Sequence, residues 1–415
     1  MSYLNKFFTK HYHKVALTII FLLLVLLPFN AILQVILNYK LNITGLGLAK
    51  EALLIFLFFG NFIYNLIKKN WSSFKIIAPT LAFLTWTIAS LAFADGQILE
   101  RLVYGLKYDG FYLVIFIIGV TFPKEIYEAR AKILKFAFMS GFFAVLISLI
   151  IHFVITPENL TKIGYRDDWS TFYTNQSLAF CQKIENTETC RLQGVFSGPN
   201  QAGSNILLYF VLLLTINFKN NKLKLIFGGI LLFALILTFS RSAWLALIAI
   251  LILSLFKNSQ INKKIILSSV AAAVAGIGFL IWMFPETVVR MGSNSDRVTL
   301  WIDSFKYWLN QPLTGFGLAE SGPASRQLNQ ELITENWFLQ ILINFGLIGL
   351  ILYLYNYFKI VQRLFKKRQT LFWAILFVAL IIPLNLLHYF EDSGFSYTLF
   401  LLSGIILNSN SDTTD

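Results

Sequence analysis

Charged residues are scarce in this sequence of 415 residues. Asp, Glu, Lys and Arg together make up 13% of the chain, whereas hydrophobic residues make up 57% and the mean hydropathy is +0.67. A soluble protein of this length has too little interior to bury that much apolar surface. The composition therefore excludes a soluble enzyme and predicts a polytopic membrane protein.

The residues that usually carry metal or nucleotide chemistry are also missing. The four histidines are scattered and form no spaced cluster with acids or cysteines. The sequence contains neither an Asp-x-Asp pair nor a Walker phosphate loop. We therefore predict no metal and no cofactor. The net charge of +13 does not indicate nucleic acid, because a basic excess in a membrane protein usually comes from its cytoplasmic loops.

Long hydrophobic runs dominate what is present. We predict twelve spans, at residues 15–37, 46–67, 74–94, 103–120, 133–155, 201–217, 223–239, 242–256, 264–284, 336–358, 370–389 and 395–408. Every second loop is rich in lysine, which places both termini in the cytoplasm. The expected fold is an all-α polytopic membrane protein, with residues 1–415 as a single integral membrane domain of about twelve transmembrane helices.

Two long loops, residues 156–200 and 285–335, then lie on the external side. The first contains Cys181 and Cys190, whose spacing allows a disulfide in an oxidising compartment, although two free thiols are the alternative. In the second, apolar residues that include Trp301 recur at helical spacing from Asp296 to Leu309. This pattern predicts an amphipathic helix lying at the membrane surface.

Arginine is concentrated on the predicted external side. Seven of the ten arginines fall there, whereas the cytoplasmic loops carry mostly lysine: Arg101, Arg166, Arg191, Arg241, Arg290, Arg297 and Arg326. Topology requires positive charge on the opposite side, and a guanidinium binds phosphate or carboxylate as a bidentate fork. We therefore predict an anionic ligand at the external face. Pairing with external acids such as Asp167, Asp168 or Asp303 is the alternative.

Arg241 lies at the tip of a predicted hairpin. As one helix, residues 223–256 would be on the order of 50 Å long, too long for one span, and lysines flank both ends. Two short arms with a tip at Phe239–Ser242 place Arg241 at partial membrane depth. A cation at that depth is usually functional, with snorkelling or a structural ion pair as the alternative.

Several external carboxylates are candidates for a general base. Glu335 is the best placed, because it opens an apolar helix that runs to about Phe358, although a simple first-turn acid is the alternative. The other candidates are Glu320, Glu331, Asp303 and the pair Asp167 and Asp168. Arginines and a carboxylate suit a reaction in which a diphosphate leaves and a base takes the proton of an attacking hydroxyl.

Four short motifs follow one another along the predicted external side. They are Arg191–Ala202, Thr238–Trp244, Arg297–Trp301 with the glycine turn Pro312–Gly317, and Glu335–Gln340 with the later Gly346 and Gly349. In this order the motifs resemble the O-antigen ligase and polymerase superfamily of bacterial membrane glycosyltransferases, over most of the chain.

The resemblance implies transfer of a glycan from an undecaprenyl-diphosphate carrier to an acceptor hydroxyl, with inversion and without metal. It places the protein in the bacterial cytoplasmic (inner) membrane, with the active site on the external, periplasmic face. Arg241 and Arg297 would bind the diphosphate, with Arg191 and Arg326 as weaker candidates. Supporting roles are predicted for Asn336, Asn200 and Trp301.

Glu335 is where the chain departs from the family pattern. Many family members have histidine before the asparagine of this motif, and that histidine is their proposed base. We predict that Glu335 takes this role, with Glu331 and Glu320 as alternatives.

The acceptor is left open by the sequence, which is compatible with a polymerase, a ligase to a lipid, or a protein O-oligosaccharyltransferase. Alternatives of other classes are a lipid-linked glycan flippase and a peptidoglycan glycosyltransferase. The chain shows no convincing internal repeat, whereas transporters usually do.

Overall fold

The structure, a computed structural model, describes residues 2–43, 48–166, 177–184, 187–218, 220–257, 291–329 and 332–408. The predicted span 264–284 lies outside these residues, and so do Asp167, Asp168, Arg290 and Glu331.

Helices make up most of the N-terminal part. They are α1 (Ser2–Leu26), α2 (Asn30–Gln34), α3 (Ala49–Lys68), α4 (Phe74–Ala89), α5 (Ile98–Gly105), α6 (Phe111–Thr121), α7 (Lys124–Glu128), α8 (Arg130–Phe153) and α9 (Pro157–Ile163). Wider π-helical turns follow α2 at Val35–Lys40 and join α5 to α6 at Leu106–Gly110.

The C-terminal part begins with a small hairpin and continues as helices. The strands β1 (Gln182–Lys183) and β2 (Cys190–Arg191) pair antiparallel. The helices are α10 (Pro199–Thr215), α11 (Asn221–Leu237), α12 (Arg241–Lys257), α13 (Met291–Trp308), α14 (Pro323–Arg326), α15 (Trp337–Lys366), α16 (Leu371–Leu384) and α17 (Ser393–Ile406).

The membrane class predicted from composition agrees with these helices. Each predicted span within the described residues overlaps at least one helix, although span 15–37 is interrupted after Leu26 and the helix of span 370–389 ends at Leu384. Six described segments are long and apolar enough to cross a membrane: Phe8–Leu26, Ala49–Lys68, Phe74–Phe93, Ile98–Thr121, Arg130–Phe153 and Trp337–Lys366. Three shorter helical segments are also apolar: Arg241–Leu255, Arg368–Leu384 and Ser393–Ile406. The count of twelve crossings stays a prediction.

The helices pack most closely around α6 and α17. A Cβ added at Gly119 would lie 2.6 Å from the carbonyl oxygen of Leu401 and 2.8 Å from the Cα of Gly404. Small residues allow helix backbones to approach this closely in a membrane protein. At the N-terminal end of α6, Tyr112 lies 5.3 Å from Phe390, centroid to centroid. This buried aromatic packing joins α6 to the segment between α16 and α17.

The helix that follows Glu335 is longer than predicted and is broken. It extends to Lys366 rather than Phe358, and Gly346 interrupts it with a φ of +65°, in the left-handed region that favours glycine. The sequence motif marked Gly346 but did not predict a break.

The glycine turn Pro312–Gly317 fills the break in α15. The amides of Phe316 and Gly317 each donate to α15, to the carbonyls of Ile343 and Asn344, at 2.9 Å. In return the amide of Leu347 donates to the turn, to the Pro312 carbonyl, also at 2.9 Å. Backbone groups freed by the break are therefore satisfied, as an apolar environment requires. This insertion fixes the end of α13 against the first half of α15.

Candidate functional site

The tip of the α11–α12 hairpin carries Arg241 as the first residue of α12. The chain turns sharply there, with Phe239 at a φ of +49°. The hydroxyl groups of Ser242 and Tyr389 share a hydrogen bond of 2.8 Å, which anchors the tip to the connection between α16 and α17. The predicted hairpin and the position of its tip agree with this turn.

Arg191 also contacts the tip of the α11–α12 hairpin, at the C-terminal end of α11. Its Nε donates to the Thr238 carbonyl at 2.9 Å, and its Nη2 donates to Asn200 Oδ1 at 2.8 Å. The last carbonyls of a helix lack intrahelical donors, so a cation is well placed at the end of α11. Arg191 directly follows Cys190. A disulfide joins Cys190 to Cys181 across the β1–β2 hairpin, with Cα atoms 5.5 Å apart.

Arg297 and Glu335 form an ion pair, although 38 residues separate them in the sequence. Arg297 Nε lies 2.7 Å from Glu335 Oε2, and the two side chains are 19% and 37% exposed. This exposure leaves the pair accessible from outside. One of the arginines predicted to be external therefore contacts the predicted base.

The backbone around Glu335 is strained. Its φ is +44°, a conformation that costs a residue other than glycine on the order of 1 kcal/mol and often occurs at functional sites. The next residue, Asn336, caps α15 by accepting hydrogen bonds from the amides of Phe338 and Leu339 at 3.0 and 3.1 Å. The cap holds Glu335 at the lip of the helix, so its carboxylate points back to Arg297.

Three arginines from three segments converge at this point. Arg241 and Arg297 are close enough for their charges to repel each other. Tyr389 is buried against the hairpin tip, and the charges of Arg191 and Arg297 both act on its hydroxyl group. Cations that lie close together are stabilised by nearby anions, and Glu335 is one such partner here. The arrangement is suited to binding a polyanion such as a diphosphate.

Arg326 lies on a neighbouring part of the site, beside the turn that precedes α17. Its charge acts on His388 and Glu391, both of which are almost completely buried. Burial, with the Arg326 charge as a smaller cause, lowers the pKa of His388 to about 3. Burial and the Asp109 carboxylate raise the pKa of Glu391 well above its usual value. Burial therefore disfavours the charged form of each group.

A buried amide connects this turn to α15. Gln340 Nε2 donates to Glu391 Oε1 and to Asp109 Oδ1, at 2.7 Å each. Asn344, one helical turn further on, donates to Asp109 Oδ2 at 3.0 Å. Two carboxyl groups from distant segments thus share one glutamine, and the first half of α15 is tied to the turn through it.

Arg101 and Glu320 belong to a separate, structural pair. Arg101 is 1% exposed, and its Nη1 lies 2.9 Å from Glu320 Oε2. Tyr307 donates to the other carboxylate oxygen at 2.6 Å. For Arg101 the alternative of an ion pair with an external acid is therefore the one observed. Glu320 is held by two partners, which leaves it poorly placed as a base.

The remaining predicted residues lie on α13. The described part of this helix begins at Met291, so helical structure is already present before the predicted start at Asp296. Val298 and Phe305 on its apolar face are 51% and 46% exposed. Trp301 is half-buried one turn after Arg297. Asp303 is exposed, and its carboxylate lies 3.8 Å from the Lys306 ammonium group.

Sequence reasoning missed Tyr389, Gln340, Asp109 and Glu391. An acidic residue inside a predicted span, such as Asp109, is a recognisable signal. Glu391 and Tyr389 carry no such signal, because their roles depend on contacts with segments more than 50 and 140 residues away, respectively.

Comparisons with known proteins are consistent with this geometry. Residues 226–354 match the model of the family described as O-Antigen ligase. The chain is also 27% identical over 231 residues to a ComP-specific O-oligosaccharyltransferase of Acinetobacter baylyi, which covers 49% of this chain and 41% of that relative. Together these findings confirm the resemblance to the O-antigen ligase superfamily. The alignment spans less than half the length of the relative.

The family match coincides with the core of the site. It contains Arg241, Arg297 and Glu335 together with the glycine turn, but it excludes Arg191 and the turn at Tyr389. The charged pair at 2.7 Å therefore lies inside the part of the chain that the family shares.

Proposed function

We propose that this chain is a membrane glycosyltransferase of the O-antigen ligase type. It transfers a glycan from an undecaprenyl-diphosphate carrier to an acceptor hydroxyl on the external face of the cytoplasmic membrane, with both termini in the cytoplasm. The observation that carries the proposal is the pair between Arg297 and Glu335, with Arg241 close by. At this point, cations that can bind a diphosphate lie beside a carboxylate that can accept the proton of a hydroxyl group.

In the proposed reaction, Arg241 and Arg297 bind the diphosphate of the donor. Phosphate oxygens compete with Glu335 for the Arg297 guanidinium, so donor binding releases the carboxylate. Glu335 then accepts the proton of the acceptor hydroxyl while that oxygen bonds to the anomeric carbon. The bond from this carbon to the diphosphate oxygen breaks, and the lipid diphosphate leaves with the electron pair, stabilised by both arginines. Attack opposite the leaving group inverts the anomeric centre.

Neighbouring residues have supporting roles in this proposal. Arg191 and Asn200 position the hairpin that presents Arg241. Asn336 holds the strained turn of Glu335. Arg326 and Trp301 extend the binding surface on either side.

The acceptor is a lipid, a growing glycan or a protein. The name of the Acinetobacter baylyi relative specifies transfer of an oligosaccharide to ComP, which makes a protein hydroxyl the second candidate acceptor for this chain. Glutamate in place of the family histidine leaves the base chemistry intact, because a carboxylate can also accept the hydroxyl proton.

The test uses purified protein and a synthetic lipid-diphosphate oligosaccharide, with products separated on a gel in the presence and absence of EDTA. We expect transfer to persist in EDTA and to fall at least 100-fold in Arg241→Ala and in Arg297→Ala, because each removes a group that stabilises the leaving charge. Arg368→Ala, an exposed arginine beyond the opposite end of α15, is the matched control and should retain full activity.

The products also separate the candidate reactions. A ladder identifies a polymerase, whereas one conjugate that requires an added lipid or protein identifies a ligase. Full activity of either site variant would overturn the diphosphate assignment. A donor that stays intact with every acceptor, yet crosses the bilayer of a proteoliposome, would favour the flippase alternative.

A further inference from the structure

A cavity with a basic rim lies between α4 and α15, near the end of α15 that is opposite to Glu335. Its volume is about 480 Å³, and its described lining residues are Lys75, Ala78, Pro79, Ala82, Tyr355, Lys359, Gln362, Arg363 and Lys366. Four of these residues are cations, and none of those described carries a carboxylate. The site described above uses none of them.

The wall of this cavity is built around Pro79. Proline has no amide hydrogen, so the Lys75 carbonyl lacks its helical donor. Arg363 donates to this carbonyl and also to that of Ile76, at 2.7 Å for the latter. Slightly deeper, Thr80 donates to Asn356 Oδ1 at 2.8 Å and joins the two helices again. The cavity is therefore preformed, and one of its cations is held in a fixed position.

The floor and the rim differ in character. Ala78, Pro79 and Ala82 are small and apolar, and they leave a groove along α4. At the rim, Lys359 Nζ lies 5.4 Å from the centre of the Tyr355 ring, which keeps the ammonium group over the cavity. Topology alone requires basic loops but no groove between two helices.

We propose that this cavity binds the headgroup of an anionic phospholipid, with its phosphate on Lys75, Lys359 and Lys366. In the proposed orientation the lipid belongs to the cytoplasmic leaflet, whose negative surface potential attracts such basic sites. A free phosphate would match the cations equally well. The apolar groove favours the lipid, because only a lipid brings an acyl chain to fill it.

The test measures lipid retention by native mass spectrometry on the purified full chain. Phosphatidylglycerol is titrated against phosphatidylcholine, and inorganic phosphate is added as a competitor. We expect selective retention of phosphatidylglycerol. The triple variant Lys75→Gln, Lys359→Gln and Lys366→Gln should bind it on the order of 100-fold more weakly, since each cation near a membrane surface contributes roughly fivefold.

Two further variants keep the proposal falsifiable. The first is a control triple variant that combines Lys68→Gln, Lys132→Gln and Lys135→Gln. It removes three exposed lysines that are predicted to lie on the cytoplasmic side but outside the cavity, and it should retain the lipid. Ala82→Trp keeps every cation but fills the groove, and should lose the lipid. Equal retention by all variants would overturn the proposal. Displacement of the lipid by equimolar inorganic phosphate would show a free-anion site instead.

Discussion

At the scale of single residues, the ion pair between Arg297 and Glu335 joins the proposed donor-binding cation to the proposed base. Glu335 is both the proposed base and the ion-pair partner of Arg297, a cation proposed to bind the donor. In the proposed reaction, a donor competes with the carboxylate for Arg297 before the carboxylate acts as the base. A substitution of Glu335 should therefore affect kcat through loss of the base and KM through the change at Arg297, and the two effects can be measured separately.

Glu335→Gln should lower kcat by roughly 10²–10⁴-fold, the usual contribution of a general base. Its KM for the donor should stay equal or fall, because glutamine no longer competes as an anion for Arg297. Steady-state kinetics with the lipid-diphosphate donor measure both. Asp303→Asn, on the exposed side of α13, should match the wild type. A raised KM with unchanged kcat would assign Glu335 to donor binding rather than to proton transfer.

At the scale of elements, the connection between α16 and α17 ties the hairpin to the broken helix. Tyr389 binds the α11–α12 tip, and Glu391 binds the first half of α15 through Gln340. Between them, His388 is buried with its ring 3.9 Å from Glu391. The turn therefore sets the distance between the segments that carry Arg241 and Glu335.

The protonation of His388 should make this connection sensitive to acid. The pKa of His388 is lowered to about 3, against about 6.5 in an unfolded chain. Between these values the unfolded chain binds a proton that folded His388 does not, so stability falls as the pH drops below about 6.5. Burial disfavours the imidazolium, and the positive charge of Arg326 adds to this effect.

His388→Gln should remove this acid sensitivity. By linkage, the lowered pKa accounts for about 2–3 kcal/mol between pH 7 and pH 4.5. Tryptophan-fluorescence melting in detergent should therefore show a smaller loss of Tm over that range in the variant than in the wild type. Parallel curves for the two proteins would show that another group controls acid stability.

At the scale of the whole molecule, the two charged regions lie at opposite ends of α15. The arginine site surrounds its N-terminal end, and the lysine-rimmed cavity surrounds its C-terminal end. Arginine at one end and mostly lysine at the other match the proposed orientation, with the site outside and the cavity inside.

Cysteine labelling tests this orientation. Leu313→Cys, at an exposed position of the glycine turn, should react with a membrane-impermeant maleimide in intact spheroplasts. Ser72→Cys, in the loop between α3 and α4, should react only after permeabilisation. The native pair Cys181 and Cys190 is joined in a disulfide and should not contribute signal. The reverse pattern would place the site in the cytoplasm and contradict transfer from an external donor.

The sequence by itself determined the membrane class, the approximate positions of the long apolar helices among the described residues, and the hairpin at Arg241. These properties follow from local hydropathy and charge, which can be read from each segment without knowing which other segments it contacts. It also selected Glu335 as a candidate among several acids, through its place at the start of a helix.

Only the tertiary structure decided which charges meet. Arg101 and Arg297 are both predicted external arginines, yet the first is buried against Glu320 and the second pairs with Glu335. The insertion of the glycine turn at Gly346 makes this pairing possible, because it fixes α13 beside the first half of α15. Contacts between segments this far apart depend on how the helices pack, and packing leaves no periodic signal in the sequence.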